Sequence, residues 1–230
     1  MPAHSHTYDE ATALLDAIWS HPLYRAHYRQ LAEYEASRPF CCHQLPHLMD
    51  AARIAYIENL ERELGFSRVV VYAAALLHDI GKDEQYRAGV PHEEAGARIA
   101  REILDDIATG GSVPTSERGV PAHEVAAPTS ERGVPAHEVA APAPDVPAHE
   151  VAAPAAPAPD VPAPAAPALS PEEADAIIRA IREHRRCPDG SSELGRLLYR
   201  ADKASRACFA CEMREECSWP EEKMNLRIGV

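Results

Sequence analysis

The chain has 230 residues, a net charge of −13 and a pI near 5.3, an acidity that excludes a general binder of nucleic acid or anionic membranes. Hydrophobic residues make up 46% but aromatics only 6%, the balance of an Ala- and Leu-rich helical protein. No run has the length of a transmembrane helix and no basic-then-apolar signal opens the chain, so the expected compartment is the cytosol, and the six cysteines are expected as thiols or metal ligands.

Residues 1–7 read as frayed, and residues 8–20 and 22–37 as two amphipathic helices of an N-terminal extension over residues 1–38. Pro22 suits a first helical turn, and Pro39 stops the second helix. His21 and His27 have no evident partner and read as surface or packing residues. Phe40-Cys41-Cys42-His43 leads into a helix from Pro46, with Leu48, Ala51, Ala52 and Ala55 at helical spacing. His47 lies one turn before Ala51 and can face the packed side. Gly65 is the expected C-cap, and Ser67 opens the next helix.

That next helix is almost wholly apolar from Tyr72 to Leu77 and ends in His78-Asp79, with Gly81 as the expected stop. Burying adjacent imidazole and carboxylate groups is costly unless something pairs them, and a metal ion would do so. Lys82 follows four residues after His78 and shares its face if helical geometry continues. Pro91 opens a further helix, with His92 in its first turn and small residues at 95, 96 and 97 that let a neighbour approach closely.

Residues 112–169 are different material. Pro114–Ala127 recurs unchanged as Pro128–Ala141, a shorter copy follows, and Pro-Ala alone runs to Ala168. The segment holds most of the chain's 21 prolines and too few large apolar groups to offset ordering entropy, so it is expected to be a disordered or polyproline-type insertion in a loop between two core helices. His123, His137 and His149 recur with the repeat and are not expected to act as ligands. Ser170-Pro171-Glu172-Glu173 then reads as a capped helix start. Ile177, Ile178 and Ile181 form its buried stripe, and it delivers His184 with Arg185 and Arg186 beside it. Ser192 caps a last helix whose apolar face, Leu194, Leu197, Leu198 and Ala201, is followed directly by Asp202.

Each of these polar residues has an ordinary explanation alone; together they form an H…HD…D series over three helices. Two imidazoles and two carboxylates suit a hard-to-borderline divalent ion such as Mn²⁺, Fe²⁺ or Mg²⁺. His92 and His184 add imidazoles for a second ion bridged by Asp79.

On the text His47-Leu-Met-Asp-Ala-Ala-Arg, Leu77-His78-Asp79-Ile-Gly-Lys82, His92-Glu-Glu-Ala-Gly-Ala, Ile181-Arg-Glu-His184 and Tyr199-Arg-Ala-Asp202-Lys-Ala-Ser-Arg206, the chain resembles the HD superfamily of metal-dependent phosphohydrolases. It is similar to small bacterial members, distantly including the symmetrical dinucleoside tetraphosphate hydrolases, and departs from those at Arg185-Arg186-Cys187-Pro188-Asp189. The resemblance implies an all-α HD domain over residues 39–111 plus 170–206. It implies a first metal on His47, His78, Asp79 and Asp202, with His92 and His184 for a second metal or the scissile phosphate. Lys82, Arg185 and Arg186 are the expected phosphate clamps, and the reaction is hydrolysis of a phosphate ester or anhydride of a nucleotide or small phosphorylated metabolite by a metal-activated water. The partner is then a small phosphorylated substrate, not a nucleic-acid polymer or a membrane. The rival readings are a di-iron enzyme of oxygen chemistry and a metal-binding sensor or binding module without turnover.

A last feature stands apart, in a C-terminal tail over residues 207–230. Cys208, Cys211 and Cys217 have C-x₂-C-x₅-C spacing. Three thiols need a fourth ligand for a closed Zn site, and Cys41 or Cys42, with Cys42 preferred, supplies it if the tail folds back beside the start of the His47 helix. An iron–sulfur cluster is the other option, and reduced thiols without metal the plain one.

Overall fold

A computed structural model describes residues 8–110 and 169–228; the repeat segment lies outside the described residues. Eight α-helices are described: α1 (Tyr8–Ser20), α2 (Pro22–Glu35), α3 (Leu45–Glu61), α4 (Arg68–Leu77), α5 (Lys82–Ala88), α6 (His92–Ala108), α7 (Pro171–Glu183) and α8 (Glu193–Ala204). Short 3₁₀ turns follow at Cys208–Ala210, Arg214–Glu216 and Glu221–Lys223. There is no strand among the described residues, so the fold is all-α, as the sequence implies.

The centre of the bundle is α4. Val69, Val70, Val71, Ala73, Ala74, Ala75, Leu76 and Leu77 are all buried, so the helix is apolar around most of its circumference. Its alanines leave room for α1, α3, α7 and α8 to pack against it. Ser67 accepts from the Val70 backbone N–H at its start, and the reciprocal Ser170–Glu173 capping box opens α7. Such caps are each worth about 1 kcal/mol. Between α3 and α4, buried Asn59 donates to the Phe66 carbonyl and accepts from its N–H, both at 3.0 Å. Left-handed backbone at Glu63 and Gly65 completes that turn.

The two N-terminal helices pack into the same core. Ala11, Leu14, Ile18 and Tyr24 are buried in one cluster with α4, α6, α7 and α8, and the Tyr24 hydroxyl donates to the Leu76 carbonyl at 3.1 Å. The two histidines without an evident partner in the sequence have one here. His27 lies 2.7 Å from Asp83, and His21 accepts from the Leu23 N–H while facing Asp106 at 3.6 Å.

The chain leaves α4 differently from the sequence expectation. The helix ends at Leu77, and His78 to Gly81 form a tight turn before α5 starts at Lys82. Gly81 has an ordinary φ of −86°, so no left-handed stop is involved. It is glycine for lack of space: a Cβ there would overlap the Gly96 amide nitrogen and lie 2.6 Å from the His92 carbonyl oxygen. The His78-Asp79 turn is thereby pressed directly onto the first turn of α6.

Helices α6 and α7 pack against each other. The end of α6 (Ile107, Ala108) and the start of α7 (Leu169, Pro171) share a small groove of about 150 Å³ with Leu14, so the segment between them joins two adjacent ends.

Two outcomes are expected. Gly81→Ala should lower stability by about 1–3 kcal/mol or more, since backbone must move to admit the methyl group; urea unfolding measures it. Replacing residues 112–168 with a short Gly-Ser linker should keep the helical circular-dichroism signal and hold or raise Tm, because the shorter loop is favoured by up to about 2 kcal/mol of closure entropy. A large fall in Tm would show that the segment contributes packing.

Candidate metal centre

The H…HD…D series converges. His47 comes from the first turn of α3, His78 and Asp79 from the turn after α4, and Asp202 from α8, and one ligand atom from each lies within 4.8 Å of the others. Asp79, His92 and His184 form a second such set that shares Asp79. All six residues are buried. His92 stands at the start of α6, which the Gly81 contact holds against the turn, and His184 caps the end of α7.

Four imidazoles are oriented in the same way. The Nδ1 of His78 lies 2.7 Å from the Ala75 carbonyl and that of His184 lies 2.6 Å from the Ile181 carbonyl, each three residues back along its own helix. The Nδ1 of His92 faces Gln85 Oε1 at 2.7 Å. That of His47 faces the Ser205 hydroxyl at 2.9 Å, and this hydroxyl itself donates to the Asp202 carbonyl at 2.8 Å, leaving it to accept from His47. Each ring therefore places its proton on Nδ1 and turns an Nε2 lone pair inward, the arrangement of a ligating histidine with an outer-sphere acceptor.

The inward atoms then face one another. Asp79 Oδ2 is 3.1 Å from His78 Nε2 and 3.4 Å from His47 Nε2, and Asp79 Oδ1 is 3.5 Å from His92 Nε2 and 3.7 Å from His184 Nε2. The two Nε2 atoms of His92 and His184 are 3.2 Å apart. Buried His78 Nε2 and Asp79 Oδ2 have no hydrogen-bond partner. An unsatisfied buried polar atom costs about 1–3 kcal/mol, more when charged. Converging lone pairs and carboxylate oxygens of this kind fit a divalent ion, which satisfies every donor at once. A proton can satisfy only one pair: burial opposes charging His78, yet Asp79 and Asp202 raise its pKa to about 10. Burial acts against ionisation of Asp79 and Asp202 too. The surrounding His, Lys and Arg residues overcome it and hold both carboxyls well below the usual range. At His92 burial wins and lowers the pKa to about 2, so its ring is neutral and free to bind a cation.

The expected metal-type residues thus come together, and most of the expected phosphate clamps do. Both sets border a cleft of about 400 Å³, lined also by Arg38, Lys82, Arg185, Lys203, Arg206 and Lys223. Lys82 is half-buried at the start of α5 rather than on a continued α4. Burial lowers its pKa, and Asp79 pulls the other way. Arg185 is steadied by Glu93 at 3.2 Å. Arg186 is exposed and does not line the cleft. Asp202 itself accepts from Lys203 and Arg206, while Arg200 pairs with Glu58.

Several residues of the cleft were not picked out from sequence. Arg206 is buried, with Nη2 3.0 Å from both His47 Nε2 and Asp202 Oδ1. Its position four residues after Asp202 was the available signal. His43 packs edge-on against His47, with ring centroids 5.8 Å apart. It is held by buried Glu35, which accepts from both its ring and its backbone N–H and from the Tyr86 hydroxyl. Burial, opposed by Asp79 and Glu35, lowers the pKa of His43 to about 4. Ser205 and Gln85, the outer partners of His47 and His92, carry no signal in sequence.

The thiols Cys42, Cys208, Cys211 and Cys217 form no converged ligand set; among the described residues such sets consist of His and Asp. All six cysteines are free. The Cys42 thiol faces the carbonyls of Glu35 and Phe40 at 3.8 and 3.6 Å.

An all-α bundle with a His/Asp centre at its core defines the class of protein. The family model described as the HD domain matches residues 47–130. The chain is 32% identical over 197 residues to an uncharacterized protein of Clostridium beijerinckii, covering 85% of each. No solved structure matches. The chain belongs to the HD-domain family.

Ser205→Ala removes the outer partner of His47 and should weaken Mn²⁺ binding by about 10- to 100-fold, with little change in the circular-dichroism spectrum. Isothermal titration calorimetry reads this directly.

Proposed function

We propose that this chain is a metal-dependent phosphohydrolase acting on a phosphate ester or anhydride of a nucleotide or small phosphorylated metabolite. The observation that carries this reading is the juxtaposition of two His/Asp sets with a cation-lined cleft in an acidic protein. A cleft of about 400 Å³ falls in the size range of small-ligand sites, about 300–1,000 Å³.

When bound, divalent ions supply Lewis acidity and activate water at neutral pH. His47, His78, Asp79 and Asp202 would hold one ion, and Asp79, His92 and His184 a second. The chain's own residues do the rest. Lys82, Arg185 and Arg206 face the cleft and bind non-bridging phosphate oxygens, and their charges offset the negative charge that builds up in the transition state. Glu93 positions Arg185. Trp219 lies over Lys203 and Arg206, with its ring centroid 5.6 and 5.4 Å from their charged groups, so it covers the cationic side of the cleft. A cluster of cations supports a phosphorylated substrate over an uncharged one, and this favours hydrolysis over the oxygen-chemistry reading.

The test is release of inorganic phosphate from a panel of nucleotides and sugar phosphates with Mn²⁺ or Fe²⁺. Turnover of at least one is expected. Asp79→Ala should lose both metal and turnover. Lys82→Ala should keep the metal and lose about 10²-fold in kcat; an unchanged rate would remove its assigned role. A metal-loaded protein inert toward the whole panel would favour the sensor or binding-module reading.

A further inference from the structure

The tail after α8 is pinned at both ends and turns on its cysteines. At one end Cys208 is buried, and at the other Asn225 donates to the Ala204 carbonyl at 2.8 Å while its own carbonyl accepts from the Phe209 N–H at 3.0 Å. Between these pins the backbone folds as successive tight turns. The Cys211 N–H donates to the Cys208 carbonyl, Arg214 N–H to the Cys211 carbonyl, and Cys217 N–H to the Arg214 carbonyl, each at 3.3 Å. All three thiols of the C-x₂-C-x₅-C series are thus folded into one short hairpin-like segment.

A fourth thiol comes from the loop before α3. The His47 ring contacts both His43 and the Ser205–Arg206 end of α8. Cys41 lies two residues before His43, and Cys208 two residues after Arg206, so both flank this one contact in the chain. Cys41, unlike Cys42, makes no hydrogen bond to the end of α2.

We infer that Cys41, Cys208, Cys211 and Cys217 form a four-thiolate metal centre, separate from the His/Asp centre, for a thiol-selecting metal. A mononuclear Zn²⁺ and an iron–sulfur cluster share this ligand chemistry. Cys41 replaces Cys42 as the fourth ligand. The electrostatics agree. Cys41, Cys211 and Cys217 all act electrostatically on Cys208, so the four thiols share one neighbourhood. No three of these sulfurs lie within 4.8 Å of one another, and a bound ion would draw them together. The consequence reaches the cleft, because Ser218, Trp219, Pro220 and Lys223 of the same tail form part of its wall. The centre is therefore a structural fastener for that wall, and it does not depend on the proposed hydrolase activity.

The experiment is elemental analysis and acid-labile sulfide determination on full-length protein purified under reducing conditions, before and after reconstitution with Zn²⁺ or with Fe²⁺ and sulfide. The variants are Cys41→Ser, Cys42→Ser, Cys208→Ser and Asp79→Ala. Wild type, Cys42→Ser and Asp79→Ala should hold the thiol-bound metal, and Cys41→Ser and Cys208→Ser should lose it. About one Zn per chain without sulfide identifies a mononuclear site, and iron with matching sulfide a cluster. If the serine variants fail to fold, an organomercurial titration of folded wild type should release the metal in step with thiol modification. Absence of any thiol-bound metal after both reconstitutions overturns the inference. So does metal that survives Cys41→Ser but is lost in Cys42→Ser.

Discussion

The carboxylate of Asp79 is the constraint on which the rest of this structure depends. It is buried at the end of an apolar helix, and its two oxygens face imidazole nitrogens from four different parts of the chain. Taking such a group out of water costs several kcal/mol unless positive charge is brought to it. Much of the architecture serves that need. Helices α3, α6, α7 and α8 each end or begin where they can deliver an imidazole or a second carboxylate, and α5 begins where it can deliver Lys82.

The order of the helices was legible because the local signals agreed with one another. Ser67, Ser170 and Ser192 cap the helices they were expected to cap, and the isoleucine stripe before His184 is buried. The metal-type residues were legible because imidazoles and carboxylates stood next to apolar stripes with no local partner. What sequence could not show was anything decided across the chain. Gly81 was read as a conformational stop, yet its requirement comes from the Gly96 backbone 15 positions away. Arg206 carries no burial signal in the text, and only its packing against His47 and Trp219 buries it. Arg186, adjacent to the cleft-lining Arg185, points to solvent, because neighbouring residues at a helix end face different ways. Cys41 and Cys42 are equivalent as text; their surroundings separate them.

Charge is arranged on two scales. The whole chain is strongly acidic, while the cleft gathers six cationic side chains. Distant surface charges are screened over about 8–10 Å at physiological salt, so an anion inside the cleft is governed by the near cations. The acidic exterior discourages nonspecific contact with polyanions, while the cations sit together in the cleft.

The repeat segment enters the bundle at a telling place. It joins the end of α6 to the start of α7, whereas His92 begins α6 and His184 ends α7. With 17 residues in α6 and a rise of about 1.5 Å per residue, roughly 25 Å of packed helix separates the junction from the centre. A change in the number of these 14-residue copies would therefore alter the chain at the ends of α6 and α7 opposite to His92 and His184.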